Sequence, residues 1–184
     1  MILEIVKYGD PVLRAKGARV KEVDAQLRQL AADMLETMHA ANGVGLAAQQ
    51  VGVPIQLTVI DLEDMEDRPS TMAINGEDVD LAEYMPLILL NPELALSKEK
   101  EPGNEGCLSF PDMTSEIVRS IGVLVKAQLL DGSTIEFEAT GLLARALQHE
   151  VDHLHGVLFI DRMNSAAKAS LAGKLKRLQK ETQG

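Results

Sequence analysis

A single cysteine, Cys107, stands among the 184 residues, so no disulfide can form within the chain, as suits a reducing cytoplasm. Basic residues are also scarce. Lys and Arg number 18 against 28 Asp and Glu, a formal net charge of −10 at pH 7. That balance argues against a general nucleic-acid binder and against DNA as a partner, because phosphate contacts need clustered Lys and Arg, although it leaves room for a local basic patch. No uninterrupted apolar run approaches the ~20 residues that cross a bilayer. The opening Met1-Ile2-Leu3-Glu4 carries neither the charged head nor the cleavage site of a signal peptide. A cytoplasmic chain away from the membrane is the expectation. There is no internal repeat and no low-complexity tract, so residues 1–184 are expected to form a single domain, large enough at 46% hydrophobic content to bury a core.

Periodicity marks the first helix clearly. Asp24 is a candidate N-cap, and Leu27, Leu30, Ala31, Met34, Leu35 and Met38 form one apolar stripe. His39, near its end, is spaced with no other metal donor and is read as structural or solvated. Strand-like runs follow at Ile55–Asp61, Leu87–Asn91, Ile117–Val118, Val123–Leu130 and Thr134–Glu138, and Asp131-Gly132 marks a hairpin between the last two. Residues 62–85 are rich in Asp and Glu and broken by Pro69, Asn75 and Gly76, which predicts an acidic, solvated surface insertion. A last helix over 165–180 turns Leu171, Leu175 and Leu178 inward and Lys168, Lys174, Lys176, Arg177 and Lys180 outward.

Near the C-terminal end stands His149-Glu150-Val151-Asp152-His153. On a helix, residues four apart share a face at roughly 5–6 Å between Cβ atoms, so His149 and His153 can hold one ion while Glu150 reaches the water beside it. The flanks support a helix. Leu142, Leu143, Ala146, Leu147, Glu150 and Leu154 recur at helical spacing between Thr140, a candidate N-cap, and Gly156, a candidate stop. His155 falls about 200° round the helix from His153 and should point away. The same spacing also arises on solvated helix faces, so two further segments matter.

Glu105-Gly106-Cys107-Leu108-Ser109-Phe110-Pro111 holds the lone cysteine. A solitary Cys is commonly a small buried hydrophobe, but two histidines leave a catalytic ion one protein ligand short of three. Cys107 would complete that set. The run Gly43-Val44-Gly45-Leu46-Ala47-Ala48-Gln49-Gln50-Val51-Gly52 reads structurally as a helix stop and turn, in which Gly43 and Gly45 supply backbone freedom. It is a poor dinucleotide fingerprint. The Gln pair in an apolar stretch remains unexplained by a turn, and an amide there could donate to a developing oxyanion.

In this order, Gly43 to Gln50, Glu105 to Ser109 and Gln148 to His153 resemble the three motifs of peptide deformylases, G-x-G-L-A-A-x-Q, E-G-C-L-S and Q-H-E-x-D-H. The resemblance extends from Tyr8-Gly9-Asp10-Pro11-Val12-Leu13-Arg14 to Leu158-Phe159-Ile160-Asp161-Arg162. It implies an α+β fold in which antiparallel sheets surround a central metal-bearing helix, with an N-terminal and a C-terminal helix. It implies removal of the formyl group from N-formylmethionyl nascent peptides, with one divalent ion held by Cys107, His149 and His153. Ferrous iron is the native metal the resemblance points to, and the ligand set would also accept zinc, nickel or cobalt. Glu150 would move the proton. The Gln50 amide and the Leu108 N–H would stabilise the formyl oxygen. The Gly45 carbonyl would hold the substrate amide, and Val44, Leu142 and Ala146 would line the methionine pocket. A basic C-terminal helix can dock at the ribosome in this family, so 165–180 carries that expectation too.

One position departs from the pattern. Many members have an Arg three residues after the Pro of the central motif, where this chain has Thr114; Arg119 is a candidate match for a second family Arg. Two rival readings remain. A zincin endopeptidase would use the same helix but generally needs a His or carboxylate further along, and after Gly156 there are only Asp161 and Glu181 and no His. An inactive, ribosome-bound relative would be expected to have lost a ligand or the base, and none is missing.

Overall fold

Asp24 accepts the backbone N–H of Leu27 at 2.8 Å and so opens helix α1, Ala25–Ala40. In the computed structural model, which describes residues 1–62 and 68–184, the apolar stripe of α1 is realised: Leu27, Ala31, Met34 and Met38 are buried. They pack with Leu46, Leu57, Val59 and Leu90. The helix ends differently from the sequence reading. Asn42, at φ 58°, takes the left-handed turn, and neither Gly43 nor Gly45 has a positive φ. Those glycines serve another purpose, described with the site.

The strands are β1 Gly45–Ala47, β2 Leu57–Ile60, β3 Ser70–Ile74, β4 Glu77–Val79, β5 Leu87–Leu96, β6 Lys100–Cys107, β7 Phe110–Ser120, β8 Gly122–Gln128 and β9 Thr134–Thr140. Seven form one sheet in the order β1-β2-β5-β8-β9-β3-β4, and β6 and β7 form a two-stranded sheet of their own. Among the described residues, every pairing between these strands is antiparallel. The Asp131-Gly132 turn joins β8 to β9 as expected, with Gly132 at φ 86°.

Two parts of the sequence reading are corrected. The segment 62–85, read as a solvated surface loop, contains regular structure. Residues 63–67 of it lie outside the described residues, but 70–79 form the β3–β4 hairpin around Asn75-Gly76. β3 pairs with β9, and Met72 is buried in the core. The acidic side chains misled the reading: Glu77, Asp78, Asp80 and Glu83 are exposed, while Met72, Ile74 and Val79 pack on the core. The short run Ile117–Val118 is likewise part of an eleven-residue strand, whose partner β6 is too rich in Gly, Pro and charge to resemble one.

Helix α2, Gly141–Leu154, buries eleven of its fourteen residues and is thereby the central helix that the motif requires. Thr140 stands at its N-cap but makes no side-chain cap bond. Ser70 Oγ on β3 instead accepts the N–H of Leu143 at 2.9 Å. Its far end stops as anticipated. Gly156 sits at φ 76°, and the N–H of Val157 reaches back to the Asp152 carbonyl at 2.9 Å. Helix α3, Ser165–Gln183, is capped by Asn164 and docks Leu175 and Leu178 on the cluster of Leu13, Phe110, Ile117 and Phe159. Its five basic side chains remain exposed. Among the described residues, no helix is long and apolar enough to cross a membrane.

Candidate active site

Strand alternation and helical spacing together assemble the site. Glu105 and Cys107 stand two apart at the end of β6 and so face the same way. Opposite them, α2 presents Leu142, Ala146, His149, Glu150 and His153. Cys107 Sγ lies 3.4 Å from His153 Nε2, and the three ligand atoms of Cys107, His149 and His153 all lie within 4.8 Å of one another. A tetrahedral ion with sulfur at ~2.3 Å and nitrogen at ~2.0–2.1 Å separates the two ligands by about 3.5 Å. His149 Nδ1 is engaged by Glu105 Oε1 at 2.9 Å, which leaves its Nε2 for the group. The three side chains therefore fit a divalent metal ion.

Glu150 is buried beside them, and its Oε1 has no hydrogen-bond partner among the protein groups. Burial pushes its pKa up to about 7, with the His149 charge opposing. His153 is held well below the ordinary imidazole value by burial first, then by the charges of His149 and Arg119. The Glu150 shift suits proton transfer near neutrality, and the His153 shift favours the neutral imidazole.

Gln50 belongs to the short 3₁₀ turn Ala48–Val51 that follows β1. Its Oε1 accepts the Ala47 N–H at 2.9 Å, which aims Nε2 at Ser109 Oγ, 3.2 Å away, and at Cys107 Sγ, 3.6 Å away. Gln49 points elsewhere, with Nε2 donating to the Ala15 carbonyl at 3.4 Å. Leu108 forms the turn from β6 to β7. A cleft of about 510 Å³ brings Val44, Gly45, Gln50, Cys107, Leu108, Leu142, Ala146, His149 and Glu150 onto one wall system, with Thr114 further along. All the sequence-derived site residues except His153 line this cleft, and His153 sits behind Cys107.

The glycines of the first motif are explained by space. A Cβ at Gly45 would lie 2.6 Å from Glu150 Oε2, and one at Gly43 2.7 Å from Leu108 Cδ1. Any larger residue would displace the Glu150 carboxylate or the Leu108 side chain. His39 pairs with Asp61 at 2.7 Å on the surface, and His155 is exposed at the end of α2, so neither joins the site.

What the sequence reading missed is the support beneath. Glu105 is a buried carboxylate that accepts from Arg119 Nε at 2.8 Å, Arg119 Nη2 at 2.9 Å and Arg145 Nη1 at 2.8 Å, in addition to His149. Burial alone would raise its pKa, but the hydrogen bonds of Arg119 and His149 outweigh it and hold the group well below the usual carboxylate range. Arg119 also reaches Asp152 at 2.6 Å, and Arg145 donates to the carbonyls of Ile117 and Glu101 at 2.8 and 2.9 Å. Arg119 thus lies under the site and not at the cleft mouth. Two signals were available. Glu105 shares a strand face with Cys107, and Arg145 stands four residues before His149 on α2.

A central helix carrying two imidazoles and a carboxylate, completed by a cysteine sulfur beneath an open cleft, belongs to the class of metal-dependent hydrolases. The family model for polypeptide deformylase matches residues 2–169, and the chain belongs to that family. It is 45% identical to the peptide deformylase of Methylacidiphilum infernorum over 98% of this chain and 94% of that one. It is likewise 45% identical to that of Opitutus terrae, over 99% and 95%. Among solved structures, a peptide deformylase of Arabidopsis thaliana matches with a TM-score of 0.83 at 37% identity, covering 97% of this chain and 91% of that one. That of Thermotoga maritima matches at 0.76 and 38%, covering 89% and 99%. The reaction is metal-dependent hydrolysis of the formyl group from the N-terminal methionine of newly synthesised polypeptides.

Removing the Glu105 carboxylate leaves two buried guanidinium groups without their shared partner. The Glu105→Ala variant should lose about 3–5 kcal/mol of stability, read as a lower midpoint in urea unfolding, whereas an exposed control such as Glu116→Ala should change by less than about 0.5 kcal/mol. Equal, small effects in both would show that the network carries no such weight.

Proposed function

We propose that Cys107, His149 and His153 hold the metal and that Glu150, Gln50 and the Leu108 N–H carry out the deformylation. The observation that carries this reading is the buried Glu150 carboxylate, whose Oε1 lacks a protein partner beside a cysteine sulfur and two imidazoles. A divalent ion bound there supplies Lewis acidity, enough to bring the pKa of water towards about 7.

Glu150, with its pKa drawn up to about 7, accepts the proton of the attacking water and delivers it to the leaving amine nitrogen, which must be protonated before the C–N bond breaks. Gln50 Nε2 is fixed in direction because its Oε1 is held by the Ala47 N–H. It and the Leu108 N–H donate to the formyl oxygen as negative charge develops, a contribution of a few kcal/mol when the donors are preorganised. The Gly45 carbonyl, kept close by the absence of a side chain, takes the substrate amide N–H. Val44, Leu142 and Ala146 enclose the methionine side chain. A grip made through backbone groups tolerates varied residues downstream.

The Glu150→Gln variant preserves size and hydrogen bonding but cannot accept the proton. It should keep its metal and lose turnover by a factor of about 10² or more, while Cys107→Ala should lose both metal and activity. Elemental analysis beside a formyl-methionyl peptide assay checks this; near-normal turnover in Glu150→Gln sinks the mechanism.

Ferrous iron is the proposed native metal. The Cys–His–His set accepts several divalent ions, and iron beside a thiolate brings sensitivity to oxygen through oxidation of the metal or of Cys107. Protein purified without oxygen should contain iron and lose activity in air, while the nickel or cobalt form endures. A zinc form equal in activity to the iron form, with iron-form activity surviving aeration, would overturn this assignment.

The proposed setting is the cytoplasm, with α3 docked on the ribosome. Its exposed Lys168, Lys174, Lys176, Arg177 and Lys180 supply the charge that ribosomal RNA would meet. Because Leu175 and Leu178 belong to the core, charge reversal at Lys174, Lys176 and Lys180 is a cleaner test than truncation. Ribosome co-sedimentation should weaken in that variant and with rising salt. Salt-insensitive or absent binding by the unaltered protein would remove the idea.

A further inference from the structure

The charges that line the cleft divide into those already committed and those open to a ligand. Glu105, Arg145, His149 and Glu150 are buried in the site and its support. Among the described residues, two lining charges remain accessible, Arg68 and Asp112. Arg68 stands between the undescribed stretch and β3, and its Nη2 donates to the Asn104 carbonyl at 3.1 Å. Among the described residues that is its one hydrogen bond, which leaves most of the five guanidinium N–H groups for a ligand.

Position decides which ligand part it can meet. β6 pairs with β7 alone, and the consecutive residues Asn104 to Leu108 all border the cleft, so the free edge of β6 forms its floor. Asn104 lies three residues from Cys107, or about 10 Å along an extended strand. In an extended peptide, the distance from the formyl carbon to the third residue is also about 9–10 Å. A formyl peptide laid along that edge, with its reacting carbon beside Cys107, therefore brings its third residue to Asn104. There the edge is already capped by the Arg68 guanidinium.

We propose that Arg68 is a specificity-determining residue that binds a carboxylate at the third position of the substrate, either an acidic side chain or the chain-terminal group of a tripeptide. The planar fork of Arg suits a carboxylate in bidentate fashion. Thr114, an accessible polar residue of β7 paired with Gly106, offers no charge for that purpose. The inference rests on the placement of the reacting carbon beside Cys107 given above.

The test compares specificity constants for formyl-Met-Ala-Glu-amide and formyl-Met-Ala-Gln-amide, and for formyl-Met-Ala-Ala as free acid and as amide. Each is normalised to formyl-Met-Ala-amide, which is too short to reach Asn104. An accessible pair of this kind is worth a few-fold, so both acid-to-neutral ratios should fall about threefold from the unaltered protein to Arg68→Ala, through KM and not kcat. In Arg68→Glu they should fall further. A fall in the Glu-to-Gln ratio alone assigns the site to side chains, and a fall in the acid-to-amide ratio alone assigns it to chain ends. Ratios unchanged in both variants overturn the role of Arg68, whereas failure to turn over even formyl-Met-Ala-amide would count against the proposed site itself.

Discussion

The buried carboxylate of Glu105 is the constraint on which the rest of the site depends. A lone charge in that position would be costly to bury, and it is tolerated because two guanidinium groups and an imidazole surround it with short hydrogen bonds. Those partners come from different elements: Arg119 from β7, Arg145 and His149 from α2. One carboxylate on β6 therefore fixes the distance between the strand that carries Cys107 and the helix that carries both histidines. It also fixes chemistry. With Nδ1 committed to the Glu105 carboxylate, Nε2 is the nitrogen of His149 left to face a ligand. The second carboxylate, Asp152, balances the surplus by accepting from Arg119 and Arg162 at 2.6 and 2.9 Å.

The same helix is pinned at a second level by Gln148. Its amide accepts the Ser120 N–H at 3.1 Å and donates to the Ser120 carbonyl at 2.9 Å, which mimics a strand residue pairing with the end of β7. Alternate faces of α2 thus divide the work. Leu142, Ala146, His149, Glu150 and His153 meet the cleft and the ligand group, while Arg145, Gln148 and Asp152 anchor the helix to the β6–β7 sheet. Hydrogen bonds tolerate only a few tenths of an ångström, so the anchors hold the reacting groups with the precision that a metal site needs.

Much of this was legible in the sequence and some was not, for identifiable reasons. The helix over the His–Glu–His motif, its stop at Gly156, the cap at Asp24 and the β8–β9 hairpin rest on local signals: spacing, turn chemistry and capping. The three motifs gave the residues that line the cleft. The β3–β4 hairpin was hidden beside its acidic flanks and pairs with the distant β9, and β6 was hidden because its side chains are mostly charged, polar or Pro and Gly. Arg145 was hidden for the opposite reason. A basic residue on an amphipathic helix reads as solvent-facing, and only the buried Glu105 makes it a core residue.

The glycines show how these two kinds of information differ. Gly156, with its positive φ, follows from helix-ending chemistry alone. Gly45 and Gly103 have ordinary backbone angles and are glycine because α2 presses side chains against the strand backbone: Glu150 Oε2 would lie 2.6 Å from a Cβ at one, and Arg145 Cζ 2.7 Å at the other. A buried carboxylate and a guanidinium group, both carried by α2, are thus packed directly on the bare main chain of β1 and β6. That contact excludes the water that would otherwise solvate Glu150, and burial is the leading cause of its raised pKa. The absence of two side chains, one on β1 and one on β6, is accordingly as much a part of the site as the side chains that are present.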